Sequence, residues 1–214
     1  MKKQDVIRAL KYSAKQLADD VKAVEACNYL LSCVEQWREK KVTTVSGELP
    51  LPKEIKTGDF ALFSDGASRG NPGPGAWGAL AQNAEGTLLW EASGVDIPTT
   101  NNKMELQGAI EAMRWLLDNA QAINFIPTES RVFLYSDSKY VVDGTKSWMP
   151  GWKRRGWKKA DKKTPENLEL WQEVDNLVSQ FANLQLCWVK GHAGHPQNER
   201  CDQLANMALD ESGF

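Results

Sequence analysis

The 214-residue chain has no apolar run approaching the roughly 20 residues that a membrane-spanning helix needs. Its four cysteines show no CxxC pair and no metal-ligand spacing, so we expect ordinary reduced thiols rather than disulfides or a zinc site. The first residues are basic and then amphipathic, without the continuous apolar core of a signal peptide. Together these absences predict a cytoplasmic protein.

Glycine and proline are missing from residues 2–46, a stretch that therefore favours helix. Apolar residues recur there at seven-residue spacing, and we predict a helical N-terminal extension over residues 1–41. A second apolar stripe, through Leu30, Val34 and Trp37, favours two packed helices in a hairpin, while dimerisation of the chain competes with it. The seven-residue series are Ile7, Ala14, Val21 and Asn28, and Leu10, Leu17, Val24 and Leu31.

Residues 42–57 have the composition of a linker, with the first glycine, two prolines and no sustained period. We therefore predict three parts: the extension, this linker and a domain over residues 58–214. Residues 1–57 carry a net charge of +3 and the remainder carries −5. Two hypotheses follow for residues 1–57, an auxiliary contact with nucleic acid or a packing and dimerisation element, and we favour packing slightly. We expect a monomer, with a dimer through the N-terminal helices as the alternative.

The domain from residue 58 has the pattern of an α/β fold, with three strands, a helix, a strand and further helices. We expect strands at 60–64, 76–82, 87–93, 131–136 and 184–189, and helices at 103–119, about 138–149, 165–181 and about 197–210. Residues 148–159 are strongly basic and rich in tryptophan. Trp148, Trp152 and Trp157 are expected to pack together rather than to stack on bases.

Four carboxylates stand in contexts that make sense together. Asp65 and Asp137 each follow a strand, Glu105 lies one turn into a helix, and Asp202 lies on the last helix. Singly, Asp65 is explained as a turn residue, and Glu105 or Asp202 as part of a solvated helix face. As a set they offer the oxygen ligands that Mg²⁺ or Mn²⁺ prefers. Two such ions about 4 Å apart support in-line displacement at a phosphate.

The motifs around these residues resemble those of the prokaryotic type 1 ribonuclease H, and the resemblance covers essentially all of residues 58–212. They are Ser64-Asp65-Gly66 with Asn71-Pro72-Gly73-Pro74-Gly75, Thr99 to Leu106 (TTNNKMEL), Ser136-Asp137-Ser138, and Val189 to His195 (VKGHAGH) followed by Asn198-Glu199-Arg200-Cys201-Asp202.

This resemblance implies a ribonuclease H-like fold, a mixed five-stranded sheet flanked by helices, with Asp65 on its middle strand. It implies that the four carboxylates bind two metal ions and that His192 assists catalysis near the scissile phosphate. The implied activity is endonucleolytic cleavage of the RNA strand of an RNA–DNA hybrid, leaving 3′-hydroxyl and 5′-phosphate ends. The expected substrate contacts are Gly66, Ser68, Asn71, Thr100, Asn101 and Asn102 near the carboxylates, and Lys153, Arg154, Arg155, Lys158 and Lys159 in a basic protrusion.

Two departures from the family pattern stand out. Lys139 occupies a position where bacterial members have a neutral amide, which puts one hybrid contact in doubt. The N-terminal segment lacks the aromatic and Gly-Pro pattern of the hybrid-binding domain that eukaryotic members carry. Two rival functions use the same fold, a catalytically silent hybrid-binding module and a nuclease core of the transposase or integrase type. The four intact carboxylates disfavour the first, and the Asn-rich loop, basic protrusion and His192 loop disfavour the second.

Overall fold

The computed structural model describes residues 10, 13–14, 21–36 and 49–214. Its contacts divide the chain into two compact units, Met1–Lys41 and Val42–Phe214. In the first unit helix α1 spans Val21–Gln36, within the predicted helical extension. The second helix of the predicted hairpin lies outside the described residues. The predicted linker stays a prediction, because residues 42–48 also lie outside them.

A mixed five-stranded sheet forms the centre of the second unit, as predicted, in the order β3-β2-β1-β4-β5. Strands β1, β2 and β3 are antiparallel neighbours, whereas β4 and β5 run parallel to β1. The strands are β1 Phe60–Ser68, β2 Gly73–Asn83, β3 Leu88–Thr99, β4 Arg131–Ser136 and β5 Asn183–Trp188.

Strand β1 is longer than the sequence predicts, and the difference has a simple cause. Its pairing with β4 ends at Phe63 opposite Tyr135, but its antiparallel pairing with β2 continues to Ser68. Asp65 therefore lies within β1, beyond the point where β4 ends. The expected strand end at residue 64 was wrong. The Asp65 carboxylate nevertheless lies where β1 has no partner on the β4 side, as the prediction required.

Alternation along β1 shows how the sheet buries both faces. Phe60 and Leu62 enter the larger core, and Ala61 and Phe63 enter a second core on the other face. Helix α2, Asn101–Asp118, packs on the first face against β1 and β2. Helix α6, Pro196–Glu211, also packs on β1 and β2, with Cys201 in the second core.

Residues 49–57, which we call the strap, share the second face with α6. Leu49, Leu51 and Ile55 of the strap pack against the core that contains Phe63 and Tyr135. The described part of the predicted linker therefore buries apolar side chains against the sheet, unlike a flexible linker, whose residues remain in solvent.

Short helical segments follow β4 and lead into the basic, tryptophan-rich region. Ser138 caps the first of them, since its hydroxyl accepts a hydrogen bond from the Val141 N–H. Trp152 and Trp171 are buried edge to face, with ring centroids 5.4 Å apart. The segments are α3 Lys139–Asp143, a π-helical turn Gly144–Trp148, α4 Met149–Arg154 and α5 Leu168–Val178. Among the described residues, no helix is long and apolar enough to span a membrane.

Candidate active site

Asp65 and Asp137 meet because of the register between β1 and β4. Phe63 lies opposite Tyr135, so each aspartate stands two residues beyond the last parallel pair. Asp65 is buried and its Oδ1 accepts a hydrogen bond of 2.7 Å from the Gly66 N–H. The parallel arrangement on which the sequence prediction depended is confirmed.

Glu105 reaches the same edge from a position one turn into α2. The side chain of Thr100 caps this helix by accepting from the Lys103 N–H. Gly66 lets the helix approach the strand, since a Cβ there would lie 2.5 Å from the Glu105 backbone nitrogen. Glu105 is 6% exposed, and its Oε2 has no hydrogen-bond partner. One oxygen each from Asp65, Glu105 and Asp137 lies within 4.8 Å of the other two.

Asp202 lies nearby on α6 but is not one of these three converging residues. Its Oδ1 accepts a hydrogen bond of 2.8 Å from Asn206, one turn further along the helix. Helix α6 comes close to the sheet at Gly78, where a Cβ would lie 2.0 Å from the Cys201 carbonyl oxygen. Asp202 as a metal ligand therefore stays a prediction.

Asn198 is the residue that the sequence analysis missed. Its buried side-chain amide donates to Asp65 Oδ2 at 3.4 Å and to Asp137 Oδ2 at 3.3 Å, and its Oδ1 has no hydrogen-bond partner. The available signal was spacing, because Asn198 stands four residues before Asp202 and hence on the same face of α6.

The carboxylates at this edge of the sheet carry like charges, which repel one another. Burial, followed by the nearby charge of Asp137, raises the pKa of Asp65 to about 7, and Asp202 contributes in the same direction. Burial and the charges of Asp65 and Asp137 also raise the pKa of Glu105 well above its ordinary value. Such a cluster is unfavourable without a compensating positive charge.

The donor set fits a hard divalent cation. Its members are carboxylate oxygens, which suit Mg²⁺ or Mn²⁺ rather than softer metals. The buried Glu105 Oε2 that lacks a partner, together with the raised pKa values of Glu105 and Asp65, supports this fit. Within the described residues, Asp65, Glu105 and Asp137 form the one group of three potential metal-ligating side chains whose ligand atoms converge.

Comparison with known sequences assigns the family. The sequence model of RNase H matches residues 57–210. The chain belongs to the ribonuclease H family. It is 46% identical over 149 residues to the ribonuclease H of Rhizobium meliloti (strain 1021), covering 70% of this chain and 89% of the relative. It is 48% identical over 151 residues to that of Cupriavidus pinatubonensis, covering 71% and 95%. The predicted family and enzyme class are confirmed.

Solved structures of the family share the fold. LC9-RNase H1, described as a type 1 RNase H with the type 2 active-site motif, has a TM-score of 0.59 at 36% identity, covering 74% of this chain and 75% of that one. The N-terminal RNase H domain of Rv2228c from Mycobacterium tuberculosis has a TM-score of 0.54 at 32% identity, covering 73% and 96%. LC11-RNase H1, solved with an RNA/DNA hybrid, matches in fold with a TM-score of 0.55 at 24% identity, covering 72% and 99%.

The substrate contacts expected near the carboxylates lie around the start of α2. The Asn101 side chain donates to Glu105 Oε1 at 3.3 Å, and its backbone N–H donates to Asn71 Oδ1 at 3.4 Å. Asn102 and Asn71 are exposed. Gly66 and Ser68 are half-buried on β1, and Thr100 is occupied in capping α2. The structure thus brings Asn71 and Asn101 together beside Glu105.

The five residues of the basic segment that are expected to contact substrate differ in whether their side chains already have partners within the protein. Lys153 forms an ion pair with Asp175, with 2.7 Å between Nζ and Oδ2. Arg155 donates from Nε to the Lys158 carbonyl oxygen, and Lys158 donates from Nζ to Thr164 Oγ1. Arg154 is exposed, and Lys159 is half-buried. Their binding of substrate stays a prediction.

His192 and Lys139 complete the predicted residues. His192 is exposed in the loop between β5 and α6, with a left-handed φ of +51°. The Lys139 ammonium lies 5.3 Å from the centroid of the Trp188 ring. Trp188 in turn donates from Nε1 to the Asp137 carbonyl oxygen at 2.9 Å. The departure at Lys139 therefore lies beside an aromatic ring that contacts the active-site strand end.

Proposed function

We propose that the protein is an endoribonuclease that hydrolyses the RNA strand of RNA–DNA hybrids, leaving 3′-hydroxyl and 5′-phosphate ends. The observation that carries this proposal is the convergence of Asp65, Glu105 and Asp137 within 4.8 Å at one sheet edge. Family membership and the hybrid bound to LC11-RNase H1, a relative in fold, support the substrate class.

The cofactor is proposed to be Mg²⁺, with Mn²⁺ as a substitute, bound as two ions by Asp65, Glu105, Asp137 and Asp202. Such ions supply an activated water and stabilise the leaving oxygen. The protein holds its carboxylates at a fixed spacing and excludes water from Glu105 and Asp65, which are both 6% exposed. Because the pKa of Asp65 is about 7 without metal, ion binding releases protons and strengthens as the pH rises towards neutrality.

His192 is proposed to move protons near the scissile phosphate or to help the product leave. An imidazole can both accept and donate a proton, which suits that role. His192 is exposed, and the neighbouring Gly191 backbone lies against the Asp137 carboxylate, which supports this role. Replacement by Ala should lower kcat and leave metal binding unchanged.

Recognition of the hybrid is proposed to combine two surfaces. The first surface comprises six residues, of which Gly66 and Asn101 donate hydrogen bonds to the carboxylates: Gly66, Ser68, Asn71, Thr100, Asn101 and Asn102. They would read the 2′-hydroxyls and groove shape, which distinguish RNA from DNA. The basic segment would contact phosphates of the DNA strand without sequence specificity.

The N-terminal unit is proposed to act by packing, in a cytoplasmic protein that is a monomer. Light scattering of the full chain and of a variant starting at Leu49 tests dimerisation: two chains per particle in the full chain and one in the variant would favour a dimer through this unit, and one chain per particle in both would contradict it. An equal salt slope of hybrid binding in both would argue against an auxiliary nucleic-acid contact. The cut at residue 49 keeps the strap, which packs on the sheet.

The function is tested with labelled RNA–DNA hybrid, single-stranded RNA, duplex RNA and duplex DNA, each with Mg²⁺ or chelator. We expect metal-dependent cleavage of the hybrid alone. Binding of the hybrid without cleavage would favour the silent binding module instead. Cleavage of duplex DNA in preference to the hybrid would favour a transposase-type core.

A further inference from the structure

The strap lies directly before the residues that define the family. The family match begins at residue 57, whereas the strap covers residues 49–57. Its Leu51 and Ile55 pack against the core beneath β1 and β4, and its Glu54 accepts a hydrogen bond of 2.9 Å from the Tyr135 hydroxyl. Residues 49–56 of the strap thus lie outside the family match, and the strap packs on the sheet face that also carries α6.

Two buried glutamines join the strap to the sheet and to α6. Gln82 on β2 donates to the Leu49 carbonyl oxygen at 3.3 Å and to the Gly86 carbonyl oxygen at 2.8 Å. Gln197 in the first turn of α6 donates to the Pro50 carbonyl oxygen at 2.8 Å and to Gln82 Oε1 at 3.0 Å. Gln82 is 0% exposed and Gln197 is 3% exposed. Buried amides of this kind are costly to leave without partners, so the network fixes its members.

The next residue along α6 is Asn198, which bridges the carboxylates of Asp65 and Asp137. A cavity of about 300 Å³ borders both Gln197 and Asn198 and is also lined by Pro50 and Leu51 of the strap. The two hydrogen bonds donated by Gln197 therefore tie the first turn of α6 to the strap and to β2 beside this cavity.

We propose that the strap is a positioning element of the metal site. It holds Gln197, and through the first turn of α6 it holds Asn198 between the two aspartates. Asn198 in turn fixes the carboxylate rotamers that receive the metal. Gln197 is thus a positioning residue for the proposed function, on which this inference rests.

The test uses the full chain and the variant Gln197→Met, which keeps the side-chain length and removes both donated hydrogen bonds. Mn²⁺ affinity is measured by electron paramagnetic resonance without nucleic acid, and amide hydrogen exchange over residues 196–199 is measured without metal. We expect Mn²⁺ binding about tenfold weaker, as for other residues that orient metal ligands, and faster exchange. With substrate, kcat at limiting Mg²⁺ should fall while KM for the hybrid stays unchanged.

A matched control separates positioning from general stability. Phe181→Leu loosens the opposite core, where Phe181 packs with Phe125, and touches neither the strap nor α6. At equal loss of thermal stability it should leave Mn²⁺ affinity unchanged. Equal Mn²⁺ affinity in Gln197→Met, the control and the wild type would overturn the proposal.

A second variant weakens the strap itself, so that the proposal can still be tested if Gln197→Met fails to fold. Leu51→Ser with Ile55→Ser removes apolar contacts of the strap while Gln197 remains. We expect the same weaker Mn²⁺ binding and faster exchange at 196–199. An unchanged affinity would contradict the proposal. If the wild type binds Mn²⁺ but does not cleave the hybrid, the proposed function is wrong. The Mn²⁺ affinities of the variants then still show whether the strap positions the metal site.

Discussion

The acidic edge of the sheet and the basic, tryptophan-rich segment are built in different ways. Asp65, Glu105 and Asp137 come from three elements and are fixed by strand register, a helix cap and a close approach at Gly66. The cations of the basic segment extend from a surface in which Trp152 is buried against Trp171, while Trp148 contacts Trp152 and is 40% exposed. The first region places charges at high energetic cost, whereas the second leaves most of them in solvent.

This difference predicts how the two regions respond to substitution. A buried carboxylate acts in one geometry, so its removal is expected to abolish a function outright. An exposed cation is one of several that attract the same polyanion, so each removal should weaken binding gradually and in a salt-dependent way.

Glu105→Gln should lower kcat by about 100- to 1,000-fold, which corresponds to the several kcal/mol that a correctly held metal ion provides. Single-turnover cleavage of a labelled hybrid measures it. Glu111→Gln is the matched control on the same helix, since Glu111 pairs with Arg114 outside the site. A variant that keeps more than about a tenth of the wild-type rate would show that Glu105 is dispensable.

Asp65→Asn should stabilise the metal-free protein at neutral pH. The pKa of Asp65 is raised in the folded state from 3.8 to about 7, so the folded state retains a proton that the unfolded state has lost. Stability from this group is therefore greatest below about pH 4 and falls as the pH rises to about 7. The difference between variant and wild type should grow across that window, up to about 4 kcal/mol, in urea melts with chelator. A constant difference would contradict the account.

Arg154→Ala and Lys153→Ala compare a free cation with a paired one on the same helical turn. Arg154 is exposed, whereas Lys153 is held by Asp175. Loss of Arg154 should reduce the slope of log affinity against log salt by about 0.9, as for one phosphate contact, and loss of Lys153 should reduce it less. Hybrid binding measured with Ca²⁺ at several salt concentrations checks this. Equal changes would mean that the ion pair opens on binding.

Lys139→Gln should have the smallest effect. The ammonium lies over the Trp188 ring, an exposed contact for which about 0.5–1 kcal/mol is typical. We expect a change in KM below about threefold and an unchanged kcat, measured at saturating Mg²⁺. A large fall in kcat would show that Lys139 affects Asp137 through Trp188.

Much of this site was predictable because its geometry follows from strand ends. Asp137 directly follows β4, Asp65 stands two residues beyond the last pair of β1 with β4, and parallel strands open at the same edge of a sheet. The extension of β1 to Ser68 was not predictable from β1 itself, since it depends on pairing with β2. Tertiary partners, rather than local propensity, decided that boundary.

The strap and Asn198 show what sequence reasoning leaves out. Two prolines and a glycine made residues 42–57 resemble a linker, and no periodicity indicated that Leu51 and Ile55 pack on the sheet. Asn198 was visible in the motif but its role depends on the angle at which α6 meets β1. Contacts between elements distant in sequence carry this information, and a single sequence does not contain it.

The most direct test of the central claim is cleavage of a uniformly labelled RNA–DNA hybrid by wild type and Asp65→Asn, with Mg²⁺ and with chelator. The account predicts that wild type cuts the RNA strand only with metal, that Asp65→Asn does not cut, and that both bind the hybrid. Metal-independent cleavage, or full activity of Asp65→Asn, would contradict the claim that the converging carboxylates form the active site.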